Sequence, residues 1–343
     1  MKDEIKEWSR MKAAIVGCGG LGNVHARGYM NIPDVKLVGV CDIDFSLAQE
    51  LSNKTGATAF ASFDVMLREI EFDILSVTLP SYLHKEFTLK AAAAGKHVIC
   101  EKPLALHLED AAEMIRSCEQ HGVRLFVGHV VRFFPEYVQM KQVIDDGKLG
   151  RIGVVHAKRI GSHPGRWFFD DDKSGGVITD LMIHDIDFFR SAMGEVKSVY
   201  GLNQRADDID YALVTLLFES GAVANLEAFW GYQGPFQTAV EIAGSKGIIR
   251  SDSQKNSSLQ ICKAPSDSED RRFAEVPQSP GFTSPYNLEL AHFIQCIREG
   301  TEPIVTENDA YKALEITQAA LESVRTGKCV HLQRSMAPGE VTP

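Results

Sequence analysis

The stretch Glu101-Lys102-Pro103 places a lysine between a carboxylate and a proline at the end of a short apolar run. A lysine ammonium that faces a ligand crevice donates to a hydroxyl or carbonyl oxygen. Its charge stabilises the alkoxide-like oxygen that forms as hydride leaves the carbon. Pro103 restrains the backbone and allows a cis peptide bond. The three residues by themselves are also consistent with a solvated surface lysine beside an unrelated carboxylate.

A second candidate pair is Asp180 and His184, which follow the glycine pair Gly175-Gly176. A spacing of four residues places both side chains on one face of a helix. Histidine is the natural proton acceptor near neutral pH, and a neighbouring acid orients it and stabilises its protonated form. The same spacing suits a metal ion, but no comparable ligand pair accompanies it, so we predict no metal site. An amphipathic helix with a polar face is the remaining alternative.

A nucleotide-binding loop is predicted where an apolar strand runs into the motif Gly17-x-Gly19-x-x-Gly22 and a helix follows. Glycines in this pattern let the backbone turn tightly and approach a pyrophosphate at the helix N-terminus. The predicted contacts are Gly17, Gly19, Gly20, Leu21 and Gly22. A flexible loop before an ordinary helix is the alternative.

An acid follows the second apolar strand, as this interpretation requires: Asp42 lies 20 residues beyond Gly22. A carboxylate at this position accepts hydrogen bonds from the ribose hydroxyls of NAD and repels the 2′-phosphate of NADP. We therefore predict NAD as the cofactor, with NADP disfavoured.

The elements that position these residues alternate between strand and helix over residues 11–130, which predicts a doubly wound parallel sheet of the Rossmann type. Ligands of such a sheet lie outside the carboxyl ends of its strands. Three stretches end there: Thr78-Leu79-Pro80, Glu101-Lys102-Pro103 and Gly128-His129.

The pattern changes over residues 131–332, which predicts a second domain of α+β type. We expect a helix over 134–145, a strand over 152–159 and one helix over 177–193. Consecutive strand-like runs between 198 and 261, separated by short turns, predict a large, mostly antiparallel open sheet. Residues 264–285 are expected to form a surface loop before two final helices.

Composition narrows the possible functions. The net charge of −10 and the lack of a basic run argue against a nucleic-acid partner. No apolar run reaches membrane-spanning length, and the charged N-terminus lacks the apolar core of a secretion signal. Seven cysteines without paired spacing are typical of reduced thiols, so we expect a cytoplasmic protein.

These motifs together resemble the Gfo/Idh/MocA oxidoreductases, the group of glucose–fructose oxidoreductase and inositol dehydrogenase. The resemblance rests on the glycine motif, Asp42, Glu101-Lys102-Pro103, and Asp180-x-x-x-His184 after a glycine pair, in that order over residues 11–332. It implies that Lys102, Asp180 and His184 form the catalytic site, with His184 as general base and Asp180 as its partner. It also implies a dimer or tetramer assembled through the open sheet.

Further site residues are expected with less specific support. Cofactor contacts are expected from the strand ends and the helix beyond, namely Thr78, Pro80, His84, Glu101 and Lys102. Substrate contacts beyond the catalytic residues are expected from Arg132, which follows the last Rossmann strand, from Arg166 in the loop over 161–176, and from Tyr286 in the late helices.

The expected function is NAD-dependent oxidation of a CH–OH group in a sugar, an inositol or a related polyol. The alternatives within enzymes are a ketoreductase and a sugar–sugar oxidoreductase that retains its cofactor. A non-catalytic NAD-binding sensor is the alternative of another class, although such a protein has no need of Lys102 and His184. Which hydroxyl of which polyol reacts depends on loops whose shape the sequence leaves undetermined.

Overall fold

The computed structural model describes residues 10–206, 209–254 and 283–332. A parallel sheet of six strands occupies the N-terminal part of the chain. The strands are β1 Met11–Val16, β2 Val35–Cys41, β3 Thr58–Phe60, β4 Ile74–Val77, β5 His97–Glu101 and β6 Leu125–Gly128. Their order across the sheet is β3-β2-β1-β4-β5-β6. The order reverses between β1 and β4, which is where an open α/β sheet binds its ligand.

Five helices cover the two faces of this sheet. They are α1 Gly20–Met30, α2 Phe45–Thr55, α3 Phe63–Glu69, α4 His84–Ala93 and α5 Leu108–Gln120. All four residues of β4 are buried, as are those of β6, because helices lie on both sides. This arrangement confirms the expected Rossmann-type sheet.

A second sheet of seven strands follows. Its strands are β7 Ile152–Gly161, β8 Val196–Ala206, β9 Ile209–Phe218, β10 Val223–Trp230, β11 Gln237–Gly244, β12 Gly247–Asp252 and β13 Val330–His331. The order is β12-β11-β7-β10-β9-β8-β13. Only β7 and β10 pair in parallel, and the other neighbours are antiparallel. The sheet is therefore mostly antiparallel, as expected.

The helices of this part are α6 Pro135–Asp145, α7 Asp171–Ser174, α8 Ile183–Met193, α9 Pro285–Glu299 and α10 Glu307–Thr326. Helices α8 and α10 cover one face of the second sheet. Alternation along β9 and β10 buries every second residue against these helices and leaves the residues between them half-buried on the opposite face. We call that opposite side the outer face.

The helix expected over 177–193 is not uniform. Residues Ile178–Met182 form a wider π-helical turn, and α8 begins only at Ile183. Such turns inside helices are frequent at functional sites because they change the direction in which side chains point. The surface loop expected over 264–285 lies mostly outside the described residues.

Helix α9 packs against α1 although most of the chain separates them. A Cβ added to Gly28 of α1 would lie only 2.5 Å from the Leu290 side chain of α9, so the two helices approach closely. Arg298 also donates to the Asp34 carbonyl at 2.9 Å. This packing brings the first turn of α9, with Tyr286, back towards the carboxyl edge of the parallel sheet.

Candidate active site

The glycine loop after β1 has the tight geometry that a dinucleotide site requires. A Cβ on Gly22 would lie 2.0 Å from the Gly17 carbonyl oxygen, and a Cβ on Gly17 would lie 2.5 Å from the Thr78 carbonyl oxygen. Gly17 also adopts a φ of +92°, which disfavours other residues. Thr78 donates its hydroxyl to the Gly17 carbonyl at 2.7 Å, so it braces the loop from β4.

Gly19 and Gly20 differ from these two glycines because a Cβ on either would meet no protein atom within 4 Å. Packing therefore does not require glycine there, whereas the close approach of a ligand does. Helix α1 begins at Gly20, and the amides of Gly20, Leu21 and Gly22 precede the first intrahelical donor. This open helix terminus fits a pyrophosphate.

Asp42 stands at the end of β2 and faces the loop. One carboxylate oxygen accepts the Cys18 amide at 2.8 Å, and the other accepts the Asp44 amide at 2.9 Å. These two bonds fix the carboxylate while leaving lone pairs on both oxygens. The half-buried group has the chemistry to accept ribose hydroxyls.

Lys102 follows β5 directly, and its bond to Pro103 is cis. The preceding Glu101 is buried, and its carboxylate lies 3.0 Å from His25 Nε2. Burial raises the pKa of Glu101, but the hydrogen bond and charge of His25, with the charge of Lys102, outweigh it and leave the pKa below its ordinary value. Glu101 is therefore an anchor behind Lys102.

The two distant segments meet at Lys102 and Asp180. The lysine Nζ donates to the Asp180 carboxylate and to the Asp180 carbonyl, each at 2.7 Å. Both side chains are almost enclosed, with 11% and 15% of their surfaces exposed. Asp180 was expected to partner His184, but in the structure its carboxylate binds Lys102. The π-helical turn that contains Asp180 explains the difference, because it breaks the α-helical spacing between the two residues.

His184 lies in the first turn of α8 without a carboxylate partner. Its Nδ1 is enclosed and has no hydrogen-bond partner. Burial lowers the pKa of His184 well below its ordinary value, and the positive charges of Lys102 and Arg159 lower it further. The imidazole is consequently neutral at neutral pH, which is the form that can accept a proton.

Arg159 contributes to the site although the sequence interpretation passed over it. It occupies an inward position of β7, and its Nε and Nη2 bind the two Asp185 oxygens at 2.9 and 2.8 Å. Nη2 also donates to the Tyr137 hydroxyl at 2.9 Å, which leaves Nη1 to donate elsewhere. A charged residue in the inward series Val155, Ala157, Arg159 was the available signal.

Tyr286 lies beside the same site. Burial raises the pKa of its phenol, and the negative charges of Glu101 and Glu289 raise it further, while the charge of Arg159 lowers it. Glu101 at the end of β5 and Arg159 in β7 are therefore among the charged groups that act on Tyr286, which is itself half-buried.

Other expected contacts lie elsewhere. Arg132 is enclosed in a fork: it binds both Asp187 oxygens, Asp309 at 3.1 Å and the Ile304 carbonyl at 2.9 Å. Its guanidinium therefore joins α8 to α10 rather than facing the crevice. Arg166 is exposed and has a φ of +54° in the loop before α7.

His84 is buried rather than open to a cofactor. Its ring nitrogens lie 2.8 Å from the Pro103 carbonyl and 2.9 Å from the Leu79 carbonyl. The imidazole thus ties the loop after β4 to the turn after β5. Pro80 is half-buried in the first of these loops, at the edge where the parallel strands end. Among the described residues, no three potential ligands cluster as a metal site would require.

Two family profiles cover most of the chain. The profile of the Gfo/Idh/MocA oxidoreductase family with an NAD-binding Rossmann fold matches residues 11–129, and that of the family's C-terminal alpha/beta domain matches residues 141–332. The chain belongs to the Gfo/Idh/MocA family. Its cofactor is accordingly NAD, in agreement with the open glycine loop and with Asp42.

Curated relatives of this family member match it over nearly their full length. A scyllo-inositol 2-dehydrogenase (NAD(+)) of Bacillus subtilis is 32% identical over 340 residues, which are 94% of this chain and 96% of the relative. A myo-inositol 2-dehydrogenase of Thermotoga maritima is 30% identical over 94% of this chain and 99% of its own length.

Solved structures of similar proteins share the fold throughout. GenD2 from gentamicin A biosynthesis, in complex with NAD, has a TM-score of 0.86 at 25% identity and covers 95% of this chain and 97% of its own. Myo-inositol 2-dehydrogenase from Lactobacillus plantarum has a TM-score of 0.81 at 27% identity, with coverages of 94% and 99%. These likenesses confirm both the expected family and the expected fold.

Proposed function

We propose that this chain is an NAD-dependent dehydrogenase that oxidises a secondary hydroxyl of an inositol, a sugar or a related polyol. The proposal rests on one observation. At the carboxyl end of β5, Lys102 binds Asp180 at 2.7 Å, beside the neutral His184. The inositol dehydrogenases among the relatives support the substrate class.

Lys102 is suited to bind the reacting oxygen. Two of its three ammonium hydrogens are directed at Asp180, and the third is available for a substrate hydroxyl. Asp180 holds the ammonium in place in an almost enclosed site. The positive charge then favours the alkoxide-like oxygen of the transition state over the neutral hydroxyl.

His184 is the proton acceptor in this proposal. Its Nε2 would accept the hydroxyl proton as the oxygen becomes a carbonyl, and NAD, when bound, would supply the hydride acceptor for the same carbon. Because burial lowers the pKa of His184, and Lys102 and Arg159 lower it further, the imidazole is ready to accept a proton without first losing one. Arg159 and Tyr286 are the further substrate contacts that we propose, while Arg166 stays a candidate from the loop side.

A polyol panel tests the function. The full chain is mixed with NAD and, in turn, with myo-inositol, scyllo-inositol and common hexoses, and NADH is followed by absorbance at 340 nm. We expect at least one cyclic polyol or sugar to reduce NAD. Tight NAD binding without turnover of any compound would instead favour the non-catalytic sensor.

We also propose a cellular location and a domain boundary for this protein. The cysteines of the described residues form no disulfide bonds, which supports a location in the reducing cytoplasm. In the part of the chain that the structure describes, no helix is long and apolar enough to cross a membrane. We place the domain boundary between residues 130 and 131, near the end of the first family match.

We further propose a homo-oligomer formed through the outer face. The outer face carries apolar side chains, including Leu202 and Ile248 with 53% and 54% of their surfaces exposed. It also carries charges of both signs, since Lys158 pairs in register with Glu227 across β7 and β10. A face with apolar residues and both charges can match a second copy of itself about a two-fold axis.

A further inference from the structure

His129 is a buried polar residue that the proposed reaction leaves without a role. It follows β6 directly, and its side chain is 0% exposed. Neither ring nitrogen has a hydrogen-bond partner. Buried polar groups in proteins are nearly always paired, so an orphaned imidazole beside an active site calls for an explanation.

The charged groups around His129 come from several elements. Its Nδ1 lies 3.8 Å from a carboxylate oxygen of Asp187 on α8. The charges of Lys102, Arg132 and Asp309 also act on it, from β5, from the turn after β6 and from α10. Of these groups, Asp187 comes closest to forming an ion pair with His129. Two hydrogen bonds from Arg132 fix the orientation of the Asp187 carboxylate.

His184 lies one helical turn before Asp187 on α8, and Asp187 is the residue whose carboxylate approaches His129. The two residues of α8 are three apart and so share one helix face. Besides His129, the charges acting on His184 are Lys102 from β5 and Arg159 from β7. Within the described residues, the enclosed imidazole nitrogens without partners belong only to His184 and His129.

The carboxylates nearest to His184 along its own segment of the chain are already bound to cations. Asp180 is bound to Lys102, and Asp185 is bound to Arg159. Asp187 is bound to Arg132 and lies 3.8 Å from His129 Nδ1. A histidine that accepts a proton at Nε2 must carry its hydrogen on Nδ1, and the partner of that hydrogen fixes the tautomer. His129 is the group placed to accept it.

We propose that His129 is the positioning residue of His184: with its own Nδ1–H directed at Asp187, its Nε2 accepts the Nδ1–H of His184. The inference rests on the proposed function, because it assigns the partner of the proposed proton acceptor. Catalytic hydrogen bonds are often long before ligands bind and shorten in the complex, which accounts for the unmade bond here. When His184 gains the substrate proton, His129 and Asp187 stabilise the new positive charge.

Nitrogen-15 NMR of the histidine-labelled protein with NAD, and without substrate, tests the tautomer directly. The His184 signal is identified by its loss in His184→Gln. We expect the Nδ1–H tautomer in the parent and its loss in His129→Phe, which fills the volume without an acceptor. His121→Gln, which replaces the exposed histidine directly after α5, is the matched control. An unchanged His184 tautomer in His129→Phe would overturn the proposal.

Kinetics with a reactive polyol give a second readout. His129→Phe should lower kcat by at least about ten-fold with little change in KM, less than the roughly 10⁴-fold that loss of an orienting carboxylate costs in a serine protease. His129→Gln, whose amide oxygen accepts a hydrogen bond, should recover most of the loss. Equal losses in both variants would indicate a merely structural role and contradict the proposal.

The pH profile separates a hydrogen-bond acceptor from a simple charge. Removing an acceptor that stabilises protonated His184 should move the acid limb of kcat/KM to lower pH. Removing only a repelling positive charge would move it to higher pH and overturn the proposal. If the parent turns over no polyol, the proposed function fails, while the NMR result still decides the pairing of the two histidines.

Discussion

Asp180, Asp185 and Asp187 are each held by a cation from a different part of the chain: Lys102, Arg159 and Arg132. Breaking such an enclosed pair leaves an uncompensated charge, which typically costs about 3–5 kcal/mol. The three pairs therefore fix the backbone around His184. They also leave none of these three carboxylates to bind its imidazole. His184 is neutral because burial lowers the pKa of its imidazole, and the charges of Lys102 and Arg159 lower it further.

The cofactor preference belongs to a single residue, Asp42. Replacing it in Asp42→Ser keeps a hydrogen-bond acceptor for the Cys18 amide but removes the negative charge that repels a 2′-phosphate. We expect the ratio of kcat/KM for NADP to that for NAD to rise by at least about ten-fold, or about 1.4 kcal/mol. Steady-state kinetics with both cofactors measure the ratio.

Glu50→Ala is the control for this prediction. It removes one exposed carboxylate from α2, which pairs with Lys54 of the same helix among the described residues. It should leave the ratio unchanged. A ratio that responds equally in both variants would show that net charge, and not the position of Asp42, sets the preference.

Elements with strong local signals were predictable. Helix α6, expected over 134–145, and strand β7, expected over 152–159, lie within two residues of their expected bounds. The π-helical turn was not predictable from local sequence, because it is stabilised by Lys102 from a segment 78 residues earlier. The ion pairs of Arg132 were not predictable for the same reason, since the carboxylates that bind it lie 55 and 177 residues further along the chain.

The glycine loop yields a prediction that separates ligand contact from packing. Gly19→Ala adds a methyl where no protein atom lies within 4 Å, in a backbone conformation open to other residues. We expect the free energy of unfolding without NAD to change by less than about 0.5 kcal/mol. The NAD dissociation constant should rise at least about ten-fold, since the methyl occupies the space of the pyrophosphate.

Gly22→Ala is the matched comparison, because its methyl would meet the Gly17 carbonyl oxygen at 2.0 Å. It should lower the free energy of unfolding itself by about 1–3 kcal/mol. Urea unfolding and titration calorimetry measure the two quantities. Unaltered NAD affinity in Gly19→Ala would remove this loop from the cofactor site.

At the scale of the whole molecule, the site exists because distant parts of the chain return to one edge of the parallel sheet. Strand β5 supplies Lys102, α8 supplies His184, and α9 returns along α1 to bring Tyr286 near. The helix-covered face of the second sheet supplies Arg159. The outer face takes no part in this site, which leaves it available for assembly.

Assembly through the outer face predicts a solution mass that is a multiple of 37.8 kDa. Leu213→Lys places a charge at the centre of that face, and light scattering should then report a smaller species with unchanged circular dichroism. Val138→Lys, at an exposed apolar position of α6, should keep the parent mass. A parent that runs as a monomer would contradict the proposed assembly.

The most direct measurement compares the parent with Lys102→Met, a side chain of similar length without charge. NAD binding is followed by titration calorimetry, and turnover of a reactive polyol is followed at 340 nm. The account predicts nearly unchanged NAD affinity and a loss of kcat of at least about 10²-fold, because removing one donor to a developing oxyanion has an effect of that size. Near-parental turnover in Lys102→Met would contradict it.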